Sequence, residues 1–159
     1  MIKKDKELPL RIGVGIILLN QENKVFVGKR IDNPENFWQM PQGGIDKNEN
    51  FLQAAKRELE EETGVKSVKL IKELEGWLEY NLPENLLGKI WKGKYRGQRQ
   101  KWFIMKFLGN DEEINIKTIN PEFLDWKWIK FSILPDVAVS FKVNIYKKLK
   151  DELNNLNLN

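Results

Sequence analysis

Gly43-Gly44-Ile45-Asp46-Lys47-Asn48-Glu49-Asn50-Phe51-Leu52-Gln53-Ala54-Ala55-Lys56-Arg57-Glu58-Leu59-Glu60-Glu61-Glu62-Thr63-Gly64-Val65 sets the frame for the rest of the chain. Its second half reads as a helix. Asn50 is a good N-cap, and Gln53 three residues on completes a capping box. Ala54, Ala55, Leu59 and the glutamates are strong helix formers. Gly64 stands where a left-handed residue ends a helix. At roughly 100° per residue, Leu52, Ala55 and Leu59 form one apolar stripe. Glu58, Glu61 and Glu62 share the adjoining face, and Glu60 points away to solvent.

That acidic face is a physical problem. Like charges at i, i+4 destabilise a helix by a few tenths of a kcal/mol, and the macrodipole disfavours anions in the last turns. One reading is a solvated face. The other is a bound cation, for which hard carboxylate oxygens suit Mg2+ or Mn2+ together with substrate phosphates. The chain has no histidine and no cysteine. This removes the commonest general base and the usual zinc ligands. Acid–base work is left to carboxylates, lysine, tyrosine or a metal-activated water.

A chain of 159 residues, 41% hydrophobic and 31% charged, fits one globular domain. The expected limits are a charged tail over 1–8, a domain over 9–153 and a polar end over 154–159 that frays. The net charge is +4 and the pI about 9.1 despite the acidic helix, so lysines dominate elsewhere. A basic exterior suits a polyanionic substrate, or serves solubility alone. The start of the chain is charged and unlike a signal peptide. No apolar run approaches the roughly 20 residues of a membrane span. Absent cysteines agree with a reducing cytoplasm, the expected location.

The glycines of 43–44 allow close approach of the backbone to another group. Counting on, Gly43, Glu49, Arg57-Glu58-Leu59, Glu61-Glu62 and Gly64-Val65 fall at the fixed positions of the Nudix hydrolase box, which this stretch resembles. The resemblance implies metal-dependent cleavage of a nucleoside diphosphate linked to another group. It also implies an α/β/α sandwich, with a mixed β-sheet between the box helix and the C-terminal helix. Glu58, Glu61 and Glu62 would hold Mg2+ or Mn2+, with Gly43 in the same set. Glu62 or Glu61 would take the proton of the attacking water. Arg57 would complete the catalytic group, chiefly as the partner of Glu49. Gly43, Gly44, Glu49 and Gly64 would shape the motif.

Taken in order, 10–19 reads as a largely buried strand, 20–23 as a turn and 24–30 as the second arm of a hairpin. Residues 31–37 read as a loop, with Trp38 in the core. After the helix, 68–80 is strand-like. The stretch 81–97 is irregular, and up to Lys101 it mixes basic residues with Trp91 and Tyr95. Such a mixture suits single-stranded nucleic acid, or a solvated loop with some rings in the core. Residues 98–107 form a strand, 114–118 a short extended piece and 125–129 a further strand. A last helix starts at Pro135-Asp136 with Asp136 as N-cap, and Ala138, Phe141, Ile145 and Leu149 make its core stripe.

Trp38-Gln39-Met40-Pro41-Gln42-Gly43-Gly44, Gly97-Gln98-Arg99-Gln100-Lys101-Trp102-Phe103, Pro121-Glu122-Phe123 and Val139-Ser140-Phe141-Lys142 resemble one branch of that family. The branch comprises the bacterial RNA pyrophosphohydrolases and the dinucleoside polyphosphate hydrolases. Under this resemblance Glu122 completes the metal site, and Phe141 and Lys142 hold the first nucleotides of RNA. Arg11, Arg30 and Gln42 are further substrate contacts. Singly, Arg11 and Arg30 also read as surface charges, Glu122 as a loop residue and Phe141 as core. The expected substrate is 5′-triphosphorylated RNA, trimmed to a monophosphate at the start of mRNA decay. A dinucleoside polyphosphate such as diadenosine tetraphosphate, on the same chemistry, remains open. A silent nucleotide-binding module is opposed by the intact glutamates. The expected state is a monomer or small homo-oligomer.

Overall fold

Alternation along β1 (Leu10–Leu19) sorts its side chains onto two faces. Val14, Ile16 and Leu18 enter one core, Ile17 and Leu19 the other. The computed structural model describes residues 8–32 and 35–158. The tail expected over 1–8, apart from Leu8, lies outside the described residues, as do Asn33, Pro34 and Asn159. β6 (Gly97–Phe107) runs parallel to β1 with Ile17 opposite Ile104. It repeats the sorting, with Phe103, Met105 and Phe107 on the first face and Trp102 and Ile104 on the second.

β2 (Val25–Arg30) follows a turn in which the Asn20 side chain accepts from the Glu22 and Lys24 amides. It starts antiparallel to β1 at Leu19↔Val25 and then pairs with β7 (Phe123–Ile129). Between β1 and β2 runs the segment 39–44. Gln39 exchanges both backbone hydrogen bonds with Gly28, at 2.8 and 2.9 Å, and the Ile16 amide donates to Pro41 O at 3.0 Å. β3 (Gln42–Gly44) then pairs with β1, Val14 opposite Gly43. The loop that leads into the acidic helix is thus built into the middle of the sheet. With β4 (Val68–Glu73) and β5 (Leu78–Asn81), the strand order is β4-β6-β1-β2-β7, with β3 on β1 and β5 on β6.

α1 (Phe51–Thr63) covers the first face with Ala54, Ala55 and Leu59. Its capping box is formed, and Gly64 ends it at φ 75°. α3 (Val143–Asn155) covers the second face with Ile145, Tyr146, Leu149 and Leu153. The result is the expected α/β/α sandwich on a mixed sheet.

Three local expectations are corrected. The strand expected over 68–80 is two, β4 (Val68–Glu73) and β5 (Leu78–Asn81), both on β6. The break follows buried Leu74 and a turn with Gly76 at φ 73°. The piece 114–118 opens extended at Ile114, as expected, after a single 3-10 turn, and Ile114 and Ile116 pack on the first core. The last helix does not start at Asp136. A short α2 (Leu134–Val137) stops where Ala138 turns extended, because the Val137 carbonyl accepts from the Trp38 amide at 2.9 Å. Asp136 lies inside the first turn of α2 and caps nothing, while Pro135 fits that turn without losing a hydrogen bond. The end expected to fray continues α3 to Asn155 and lays Leu156 and Leu158 against the second core.

Candidate active site

Arg57 joins the loop to the helix. Its Nε and Nη2 donate to the two Glu49 oxygens at 2.7 and 3.0 Å, and Nη2 also donates to Gly44 O at 3.0 Å. This fork-on-carboxylate geometry is the strong form of the contact. It holds Glu49 below the ordinary carboxylate range and raises Arg57. Arg57 Nη1 donates to Glu58 at 2.9 Å and to Glu61 at 3.2 Å. With Asp46 at 3.2 Å from Nε, one guanidinium therefore sits among four carboxylates of the motif.

The glycines set the spacing. A Cβ on Gly43 would fall inside the Glu58 carboxyl group, and one on Gly44 would meet Arg11 Nη2. Gly43→Ala is expected to displace Glu58, at about 1–3 kcal/mol of overpacking, and to lower turnover. Melting temperature and kcat measured on the same variant check this, and an unchanged pair would show that the strand can shift freely.

Glu62 is 5% exposed, and its recorded partner is the Gln42 amide at 3.3 Å. Burial, then the charges of Glu58 and Glu122, push its pKa well up. Burial also raises Glu58, against the pull of Arg57. Glu61 is 58% exposed and is held only by Arg57. Glu60 stands exposed at the rim of the helix and pairs with Lys66 at 3.4 Å. Glu122 is exposed before β7, and its carbonyl accepts from the Ile31 amide.

Among the described residues no three carboxylates are already gathered about one point. The donor chemistry nevertheless fits a divalent cation. Every side-chain donor is a hard oxygen, and Glu62 is a buried carboxylate with no cation in contact, which is costly to ionise as it stands.

A cleft of about 1120 Å³ brings the expected residues together. Glu58, Glu61, Glu62, Arg57 and Glu122 line it, as do Gln42, Gly43 and Gly44. So do Arg11, Arg30, Phe141 and Lys142. Glu49 lies in a neighbouring groove and reaches the cleft through Arg57. Gly64 stands behind the helix, against Glu113 and Asn115.

Arg30 is paired with Asp32, its Nε at 2.7 Å, so it is partly neutralised. Lys142 is not the exposed ammonium that RNA binding suggests. It is 6% exposed and donates to Gln39 Oε1 at 3.1 Å. Burial and then Arg30 lower its pKa to about 7. Phe141 is half-buried. Its ring lies 5.6 Å from that of Tyr80 and lines the cleft.

The sequence reading gave no site role to Asp32, Tyr80, Gln98 or Gln100. Gln98 donates to the Tyr80 hydroxyl at 2.9 Å, and Gln100 donates to Gln42 Oε1 at 3.2 Å. Both glutamines are almost fully buried. The readable signal was two polar residues at i, i+2 on the same strand face as Trp102 and Ile104. Asp32 gave none, since a loop aspartate beside an arginine is ordinary.

The NUDIX domain family model matches residues 9–149. The chain belongs to the Nudix family. An RNA pyrophosphohydrolase of Pelagibacter ubique is 64% identical over 146 residues, 92% of each chain. The RNA pyrophosphohydrolase of Orientia tsutsugamushi strain Boryong is 45% identical over 151 residues, 95% of this chain and 94% of that one. Among solved structures, the E. coli dihydroneopterin triphosphate pyrophosphohydrolase superposes with a TM-score of 0.68 at 20% identity. That match covers 91% of this chain and 99% of that one, and it shows the shared Nudix fold alone.

Proposed function

We propose that this chain is a divalent-metal-dependent RNA pyrophosphohydrolase of the cytoplasm. It converts a 5′-triphosphate end to a 5′-monophosphate and releases pyrophosphate. Water attacks phosphorus, one P–O–P bond breaks, and the RNA keeps the phosphate on its first nucleotide. One observation carries the reading. A single cleft holds the carboxylates of Glu58 and Glu62, the cationic heads of Arg11 and Arg30, and the Tyr80–Phe141 ring pair. The names of the relatives at 64% and 45% identity support the same substrate.

Glu58, Glu61, Glu62 and Glu122, with the Gly43 backbone beside them, would hold Mg2+ or Mn2+. Such an ion supplies Lewis acidity toward a phosphoryl oxygen. Glu62 is the first candidate to accept the proton of the attacking water, because burial and its anionic neighbours raise its proton affinity. Glu61 is the second. Arg57 keeps helix and loop in register. Arg11 and Arg30 face the phosphates, and Phe141 offers its ring to a base.

Phe141 separates RNA from small nucleotides. Loss of a stacking ring costs on the order of 1–3 kcal/mol. Phe141→Ala is therefore expected to lower kcat/KM on triphosphorylated RNA by about tenfold, with a smaller loss on diadenosine tetraphosphate. Both substrates are assayed side by side with Mg2+, and the melting temperature is read on the same protein. A wild-type enzyme far faster on diadenosine tetraphosphate would move the substrate to the dinucleoside polyphosphates. An equal loss on both, with a large drop in melting temperature, would return Phe141 to the core.

A further inference from the structure

We propose that Trp91 is a positioning residue for Arg11. Its ring holds the guanidinium beside Gly44, at the edge of the cleft, with the charge left free for a phosphate. The inference rests on the reading of the cleft as a polyphosphate site.

The backbone gives the first argument. Trp91 and Lys92 have φ of 50° and 57°, the left-handed region that residues with a Cβ avoid. The same loop uses glycine where it takes this conformation at Gly88 and Gly93. Two large residues hold it between those glycines, and strained positions of this kind concentrate at ligand clamps. The turn is closed by the Gly93 amide on Ile90 O at 3.0 Å.

Side-chain placement gives the second. The turn carries the Trp91 ring to the cleft wall, where Arg11 Cζ lies 5.4 Å from its centroid. Tyr95 meets the ring edge-on at 6.2 Å and fixes its tilt. Arg11 Nη2 also lies within 2.5 Å of where a Cβ on Gly44 would stand. The guanidinium thus meets both a ring and a glycine that leaves it room.

Charge gives the third. Arg30, Arg57 and Arg99 each lie within ion-pair distance of a carboxylate, namely Asp32, Glu49 and Glu79. Among the described residues Arg11 makes no such pair, and its one hydrogen bond is a long 3.5 Å contact to Gln98 Oε1. A carboxylate would orient the guanidinium but neutralise it. A ring face orients it and leaves the charge and the N–H edge available for bidentate phosphate binding.

The test compares Trp91→Asn, which tolerates the left-handed backbone, with Trp91→Phe, which keeps a ring. Each is made alone and in an Arg11→Gln background. The readouts are steady-state kinetics on triphosphorylated RNA and calorimetric titration with inorganic tripolyphosphate, which needs no turnover. Trp91→Asn is expected to raise KM and weaken tripolyphosphate binding by about tenfold, between the exposed and the desolvated range for a cation–π pair. The change in kcat should be smaller and the salt dependence shallower, and Trp91→Phe should recover most of the loss. In the Arg11→Gln background Trp91→Asn should add nothing further. Additive losses would overturn the proposal by showing that Trp91 acts independently of Arg11. A fall in melting temperature with no rescue by phenylalanine would overturn it in favour of a purely structural ring. A wild-type protein that hydrolyses neither RNA nor diadenosine tetraphosphate, yet shows the Trp91–Arg11 coupling to tripolyphosphate, would sink the enzymatic reading and leave this one standing.

Discussion

A Glu62→Gln protein is expected to fold and to lose about two orders of magnitude or more in kcat, as for removal of a proton acceptor or metal ligand. The amide is close in shape to the carboxyl and still offers an oxygen to the Gln42 amide, so the packing against β3 survives. What disappears is a negative charge and a proton acceptor at the most buried acidic position of the helix. Stability should move the other way. An unfolded glutamate ionises near 4.5, whereas the folded Glu62 holds its proton to higher pH. Between those two values the folded state binds more protons, so its stability falls as pH rises. The neutral amide of Glu62→Gln carries no such penalty, and the chelated variant should melt above the chelated wild type at neutral pH. Glu60→Gln, on the solvent side and paired only with Lys66, should leave kcat within about twofold, as expected for a surface change. Near-normal turnover by a folded Glu62→Gln protein would remove Glu62 from the chemistry.

The box helix was legible because its signals are local. Asn50, Gln53 and Gly64 act within one turn of themselves, so the helix limits follow from short-range chemistry. The long strands were legible from their runs of Ile, Val and Phe. What escaped depends on distant partners. The Gly28–Gln39 bridge that lodges 39–44 between β1 and β2 has no trace in either segment alone. The end of α2 is set by a hydrogen bond from Trp38, about a hundred residues away along the chain. In the site, helical spacing gave the shared face of Glu58, Glu61 and Glu62. It could not give their unequal burial, which depends on β3 covering Glu62 while Glu61 stays outside. The burial of Lys142, which lines the cleft, was hidden for the same reason. Its side chain turns inward to Gln39, a contact made only once 39–44 has joined the sheet.

Chelation is expected to abolish hydrolysis, and Mg2+ or Mn2+ to restore it. Oxygen donors without histidine or cysteine suit hard cations. Glu58, Glu61, Glu62 and Glu122 line one cleft, and burial makes Glu58 and Glu62 costly to ionise without a cation beside them. Arg57 Nη1 bridges Glu58 and Glu61, so ion binding and this bridge draw on the same oxygens. The ion should therefore also be visible without turnover. Binding only to the folded chain stabilises by about 2.7 kcal/mol at a hundred times Kd, so Mg2+ should raise the melting temperature of the chelated wild type. Glu62→Gln should gain much less, because its site has lost a charged donor, and the order of the two proteins in chelator should narrow or reverse on adding Mg2+. Full activity in excess chelator, or equal Mg2+ stabilisation of both proteins, would place the ion elsewhere and leave the acidic face of α1 as a solvated surface.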